Sequence, residues 1–316
     1  MAVPTVRLRN GVEHPLIGYG TYKIGFVPAS SNSASEPGHS PDQDPADIIK
    51  DALACGYRYI DCAQFYGNEK LVGKAISESK VPRAELFLVS KVWGDKMYEG
   101  REAILRQLDQ TLEDLGTDYL DIYLVHWPVP GKHVAAYQVL EEALGAGKIR
   151  AIGISNYTRE DYEELKAVAR VPPVVNQIEV NPFLWRRKTY DYFMGEGVVL
   201  QSYRALRQGK EMGNPCVAEV AKKHGRTAAQ QILGRWCVQR NIVLVAKTVH
   251  KERMKENMAV FDFQLDEEDM KRLDGLTTPE SLAEFKALYD KCVVRDTPLA
   301  ALEPSEQGVK KEVLLD

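Results

Sequence analysis

The sequence lacks any apolar run of bilayer-spanning length, and it does not start with a basic, then apolar, then small-residue succession. A membrane helix needs about 20 apolar residues, and a secretory leader needs that succession. Neither is expected, so a cytoplasmic setting is. Cysteine is scarce. The five residues, Cys55, Cys62, Cys216, Cys237 and Cys292, are odd in number and never spaced C-x-x-C. Reduced thiols are expected rather than a disulfide framework or a zinc site. The six histidines show no H-E-x-x-H spacing, so no metal is expected either. An excess of one charge is missing too. The formal net charge is −4, which gives nucleic acid or an anionic membrane no electrostatic hold. Finally, there is no G-x-G-x-x-G turn into a helix, the mark of a doubly wound dinucleotide-binding sheet. Gly18-x-Gly20 runs instead into a polar segment.

What is present is a regular alternation. The opening, Val6 and Leu8, then Asn10-Gly11, then Pro15 to Gly20, reads as a hairpin followed by a strand. A stretch rich in Ser, Pro and Asn, over 27–45, has no periodicity and reads as an inserted loop after the first strand. Seven more strand-like runs follow, ending near Asp61, Ser90, Val125, Ile154, Gln177, Ser202 and Ala246. Helical patterns separate them. Arg101–Leu115, for example, carries Ile104, Leu105, Leu108, Leu112 and Leu115 on one stripe. Eight strand–helix units in this length predict an α/β fold, a single (β/α)8 TIM barrel capped by an N-terminal β-hairpin. The whole chain, 1–316, is expected to be one domain with its barrel core over 5–275. Residues 276–316 fall outside the repeat and read equally as a surface tail or as a flap over the barrel.

In such a barrel the chemistry sits at strand C-terminal ends and in the loops that follow them. That rule selects Thr21 and Tyr22, Asp61 and Tyr66, Lys91 and Trp93, His126 and Trp127, Ser155 and Asn156, Gln177, Tyr203, Lys247 and Thr248. Taken singly, Lys91 reads as a surface lysine and His126 as a satisfied core group. Taken together, four titratable groups converge on one rim. A buried Lys91 would need a counter-charge, and Asp61 supplies one. Lys91 beside the Tyr66 phenol is expected to lower its pKa and make it a usable acid near neutral pH. His126 can donate a hydrogen bond to a substrate oxygen. This set can protonate a carbonyl oxygen, and it lacks a nucleophile paired with a base.

Several segments in order carry a resemblance. They are Gly20-Thr21, Gly56 to Asp61, Tyr66-Gly67-Asn68-Glu69 with Val72-Gly73, Ser90 to Trp93, and Tyr123 to Pro128. Ile152 to Tyr157, Asn176 to Pro182, and Lys247-Thr248 with Arg253 and Glu256-Asn257 complete the series. The chain resembles the aldo-keto reductase superfamily over about residues 5 to 275. The resemblance implies NADPH-dependent reduction of an aldehyde or ketone by direct hydride transfer. Tyr66 would be the proton donor, assisted by Lys91 and Asp61, with His126 orienting the carbonyl. Ser155, Asn156 and Gln177 would hold the nicotinamide carboxamide, and Tyr203 would stack on its ring. Lys247, Thr248 and Arg253 would take the 2′-phosphate of NADPH/NADP+, with Asn257 near the adenine. Gly20, Thr21, Asp61 and Leu206 complete the cofactor set, and Tyr22, Trp93, His126 and Trp127 would line the substrate pocket. A small-molecule carbonyl partner and a monomer or weak dimer are implied.

The sequence also departs from that pattern. After the seventh strand it reads Tyr203-Arg204-Ala205-Leu206-Arg207, with two extra arginines where a pyrophosphate-covering loop is expected. They would either add phosphate contacts or be solvated. Ala246 stands in place of a usual proline, Cys62 in place of a frequent threonine, and Tyr22 where tryptophan is common. A cofactor-binding regulatory subunit with little turnover is the alternative, and the intact Asp61, Tyr66, Lys91 and His126 set speaks against it.

Overall fold

The apolar runs form parallel strands, as runs covered on both faces do. The computed structural model describes residues 3–26, 43–226 and 229–293. A short antiparallel pair, β1 (Thr5–Arg7) and β2 (Glu13–Pro15), comes first. Then follow β3 (Ile17–Gly20), β4 (Tyr59–Asp61), β5 (Phe87–Val92), β6 (Ile122–Val125), β7 (Ile152–Ser155), β8 (Val175–Glu179), β9 (Val199–Tyr203) and β10 (Val243–Ala246). These eight hydrogen-bond in chain order, and β10 returns to pair with β3, closing the expected (β/α)8 barrel. The polar segment over 27–45 lies outside the described residues as far as position 42. So does the tail beyond position 293.

Local signals explain several helix starts. The Asp44 side chain accepts from the Ala46 amide, and Pro45 occupies the first turn of helix Pro45–Ala54. Thr158 and Asp161 form a reciprocal capping box on helix Arg159–Lys166. Two uncapped starts diverge from the sequence reading, although uncapped Arg101–Leu115 matches it. The sequence pattern reads as a helix over Tyr137–Gly145; the structure begins it at His133, about one turn earlier, with no side-chain cap. The short helix Gly94–Glu99, also uncapped, was not expected at all.

Glycine matters where backbones or rings approach closely. A Cβ on Gly18 would fall 2.1 Å from the Tyr59 ring, so the bare β3 backbone is what admits that ring. A Cβ on Gly73 would fall 2.1 Å from the Asp114 carbonyl oxygen, which lets helix Glu69–Ser79 lie against helix Arg101–Leu115.

The hairpin brings His14 against the first residues of β4 and β5. Its fully buried ring meets Tyr59 edge-on at 4.8 Å and lies 4.3 Å from Phe87. Burial holds its pKa down near 4, so it is neutral at physiological pH. At the other end of the barrel, the described part of the tail is one helix, Pro279–Val293. Its Phe285, Tyr289, Cys292 and Val293 pack with Trp93, Trp127 and Leu184. The Tyr289 hydroxyl donates to Asp161 at 2.8 Å, tying this helix to the capping box. No helix among the described residues is long and apolar enough to cross a membrane.

Candidate active site

The strand ends deliver the selected polar groups to one place. β4 ends on Asp61, and β5 runs two residues past its expected end, so Lys91 lies within it. Lys91 is fully buried. Its ammonium donates to Asp61 Oδ2 at 2.8 Å, to the Cys62 carbonyl at 2.7 Å and to the Tyr66 hydroxyl at 3.3 Å. Its three donors are thereby used, which is how a buried cation is tolerated. Tyr66 lies on a short 3-10 turn closed by Gly67 in left-handed backbone. The His126 ring stands edge-on to it at 5.9 Å. Around them, Tyr22 lies 5.1 Å from Tyr66, Trp93 stacks on Phe65 at 4.1 Å, and Trp93 meets His126 at 5.0 Å. Trp127 is one residue further on, against Tyr289 at 5.8 Å.

One expectation is overturned here. Tyr66 does not have a lowered pKa. Burial raises it well above the ordinary phenol value, and the Asp61 carboxylate raises it further. The reason is visible in the distances: the Lys91 charge is already compensated by Asp61 and shared with a carbonyl. The phenol therefore stays protonated. Cys62 is also fully buried, and burial pushes its thiol well up, which leaves no accessible thiolate.

A second group surrounds the ends of β7, β8 and β9. Asn156 adopts left-handed backbone, φ 63°. Its side chain donates to the His126 carbonyl at 3.0 Å and accepts from the Tyr203 hydroxyl at 2.6 Å. The Ser155 hydroxyl donates to the Gln177 carbonyl at 2.8 Å. The Gln177 amide nitrogen is turned inward, 2.7 Å from Asp61 Oδ1 and 2.9 Å from Gln201 Oε1. The Thr21 hydroxyl is likewise spent internally, on the Asp61 carbonyl at 2.9 Å. Leu206 packs on the core.

A third group follows β10. Lys247 is half-buried beside Gly20, whose added Cβ would stand 3.7 Å from the lysine Cβ. Burial, and then the neighbouring Lys23, lower the Lys247 pKa. The Thr248 carbonyl accepts from Tyr19 at 2.7 Å, and its hydroxyl accepts from the His250 amide at 3.2 Å. Arg253 is exposed on helix Lys251–Met258, and Asn257 is buried on the Met254 side of it. No carboxylate among the described residues pairs with Lys247 or Arg253.

The sequence matches the aldo/keto reductase family over residues 16–278. The chain belongs to the aldo/keto reductase family. It is 40% identical to a glyoxal reductase of Bacillus subtilis over 276 residues, 87% of this chain and 94% of that one. An aldo-keto reductase from a Medee basin deep-sea metagenome library superposes with a TM-score of 0.78. It is 37% identical, over 87% of this chain and 95% of its own. A mutant of Gox0644 solved in complex with NADPH superposes with a TM-score of 0.78 at 29% identity, over 89% and 96% of the two chains. The chain is thereby placed among oxidoreductases of this family.

Sequence reasoning missed the polar column beneath this rim. From His14 Nε2 the contacts run to Gln201 at 2.7 Å, then to Gln177, to Asp61 and to Lys91. Tyr59 also donates to Asp61 Oδ1 at 3.0 Å. Gln201 and His14 lie at strand interiors, where the strand-end rule does not look.

Glu69 is a second omission. It is buried and accepts from the Ser90 hydroxyl at 2.5 Å and the Thr111 hydroxyl at 2.9 Å. Burial raises its pKa from 4.5 to about 7, against the lowering effect of those hydrogen bonds. A carboxyl with a raised folded-state pKa stabilises fully below the unfolded value, and that contribution is lost as pH climbs through the folded value. Between pH 4.5 and about 7 the loss is therefore set by a shift worth about 3 kcal/mol. Glu69→Gln keeps the shape without the charge. In urea titrations the variant should gain about 2–3 kcal/mol on wild type between pH 5 and pH 8. Parallel pH profiles for the two proteins would refute this assignment.

Proposed function

We propose that this protein reduces an aldehyde or ketone to the alcohol, with NADPH as hydride source and Tyr66 as proton donor. The observation that carries the reading is the Lys91 ammonium bridging Asp61 and the Tyr66 hydroxyl at one strand-end rim. Bound NADPH would supply a hydride for direct transfer to the carbonyl carbon. The residues fit such a cofactor on their own chemistry. Lys247 and Arg253 are cations without a carboxylate partner among the described residues, so a phosphate would complete them. Thr248 would add a polar contact there, with Asn257 toward the adenine. Ser155, Asn156 and Gln177 would hold the carboxamide end, and the Tyr203 ring, fixed through Asn156, would support the nicotinamide. Gly20, Thr21, Asp61 and Leu206 would complete the wall.

As the carbonyl gains a hydride its oxygen becomes an alkoxide. Tyr66 would give its proton to that oxygen, and His126 would donate a hydrogen bond to it. An alkoxide is a stronger base than a phenolate, so a phenol with a raised pKa can still protonate it. Lys91 would stabilise the resulting phenolate, and Asp61 would hold Lys91 charged and in place. Tyr22, Trp93 and Trp127 would present an apolar wall to the substrate body. Of the two directions, reduction is favoured at neutral pH, because the reverse needs Tyr66 ionised beforehand.

The direct test is consumption of NADPH absorbance with glyoxal and with a simple monoaldehyde, which should both be reduced. Lys247→Met separates the cofactors. It should raise the NADPH Kd by about ten-fold or more, one lost charge-assisted contact, and leave the NADH Kd within about two-fold. Equal weakening of both would remove Lys247 from the 2′-phosphate.

A further inference from the structure

Between the loop after β9 and the C-terminal helix lies a cavity of about 300 Å³. β8 contributes Glu179, the loop contributes Arg204 and Arg207, and helix Pro279–Val293 contributes Glu284, Phe285 and Leu288. Glu179 is buried, and its carboxylate has Arg204 at 3.3 Å and Arg207 at 3.6 Å. The lining sets Arg204, Arg207 and Lys210 against Glu179 and Glu284, three positive charges against two negative, so one positive charge is in excess at the wall. Arg207 is the group left wanting. Its side chain is only 16% exposed, and its nearest carboxylate oxygens, on Glu179, Glu284 and Glu211, stand at 3.6, 3.7 and 3.9 Å. None of these is a hydrogen bond, and its Nε has no partner among the described residues. Its charge is met by these carboxylates, but its five donors make no side-chain hydrogen bond among the described residues, which is costly this far from water. The loop is strained as well. Arg204, Arg207 and Gln208 all adopt left-handed backbone, φ 52°, 49° and 57°, at a cost of about 1 kcal/mol or more for each such residue. Phe285 and Leu288 join the aromatic cluster of Trp93 and Trp127, so the cavity shares a wall with the catalytic rim.

We propose that this cavity is an anion subsite of the substrate pocket, in which Arg207 receives the carboxylate or phosphate of an acidic carbonyl substrate. The guanidinium fork matches either group. Phe285 and Leu288 take the carbon chain, and Glu284, 71% exposed at the rim, competes with the ligand for Arg207. The inference rests on the carbonyl-reductase reading above and deepens it to a substrate class.

The test uses matched aldehyde pairs with NADPH: succinic semialdehyde against butanal for the carboxylate, and glyceraldehyde phosphate against glyceraldehyde for the phosphate. Arg207→Gln should raise KM for the preferred anionic member about ten-fold, the effect of one charge-assisted contact. It should leave kcat, the KM of the neutral member and the NADPH Kd within about two-fold. Glu284→Gln removes the competitor from an exposed site and should lower the anionic KM about two-fold, which keeps a measurement available if the arginine variant folds poorly. Equal shifts for charged and neutral aldehydes would overturn the proposal. So would a ten-fold rise in NADPH Kd, because Arg207 would then serve the cofactor. If no aldehyde of either kind is turned over, the reductase reading falls. Calorimetry with succinate then still reads the site: binding lost in Arg207→Gln upholds an anion site, and no binding to wild type removes it.

Discussion

Tyr66→Phe should lower kcat for aldehyde reduction by about 10²- to 10⁴-fold, the range of a positioned general acid, with the NADPH Kd unchanged. The phenyl ring preserves the packing against Tyr22 at 5.1 Å and the edge contact with His126 at 5.9 Å, so the change isolates one hydroxyl. Among the described residues hydrogen-bonded to the Lys91 ammonium, it removes the one that can give up a proton to a substrate oxygen, since Asp61 and the Cys62 carbonyl both accept. Water or His126 would then have to protonate the alkoxide, without the Lys91 charge to receive the electron density. The measurement is the steady-state rate of NADPH loss with glyoxal for both proteins, alongside cofactor quenching of intrinsic fluorescence. Equal turnover by the two proteins would remove Tyr66 from the proton transfer. A parallel loss of cofactor binding would show that the hydroxyl positions the nicotinamide instead.

The buried ion pair gives the largest expected effect on stability. Asp61→Leu leaves a fully buried ammonium with no counter-charge, and breaking a buried pair this way costs about 3–5 kcal/mol. Lys91→Met should cost less, because Asp61 keeps donors from Tyr59 at 3.0 Å and Gln177 at 2.7 Å. The double variant Asp61→Leu with Lys91→Met should return to within about 2 kcal/mol of wild type, since an apolar pair of similar volume replaces two desolvated charges. It should nonetheless lack activity. Stability recovered without turnover would establish that the pair is kept for its effect on Tyr66. Urea unfolding of the four proteins completes the cycle. Simple additivity of the two single losses would mean that the charges do not interact through their 2.8 Å contact.

The barrel was legible because its signals are local. Apolar runs such as Leu86–Val89 and stripes such as Ile104, Leu108 and Leu112 declare which faces are covered, and their alternation leaves one architecture. The rim was legible for the same reason, since strand ends can be counted along the chain. Helix Arg101–Leu115 was legible from its apolar stripe although no side chain caps it, whereas the uncapped start at His133 was not.

The sequence by itself determined the eight strand–helix units, the residues at each strand end and the family, because these depend on neighbours a few positions apart. Only the tertiary structure decided which charges meet. It placed Lys91 against Asp61 before Tyr66, and so turned an expected acidic phenol into one that holds its proton. It also joined His14 to Gln201 across 187 positions, laid Phe285 and Tyr289 on the tryptophans of the rim, and set the Arg207 guanidinium beside Glu179 and Glu284 with no side-chain hydrogen bond among the described residues. Those outcomes depend on burial and on distances between segments remote in the chain. Desolvation and Coulomb attraction act through space, and the order of residues does not encode that space directly.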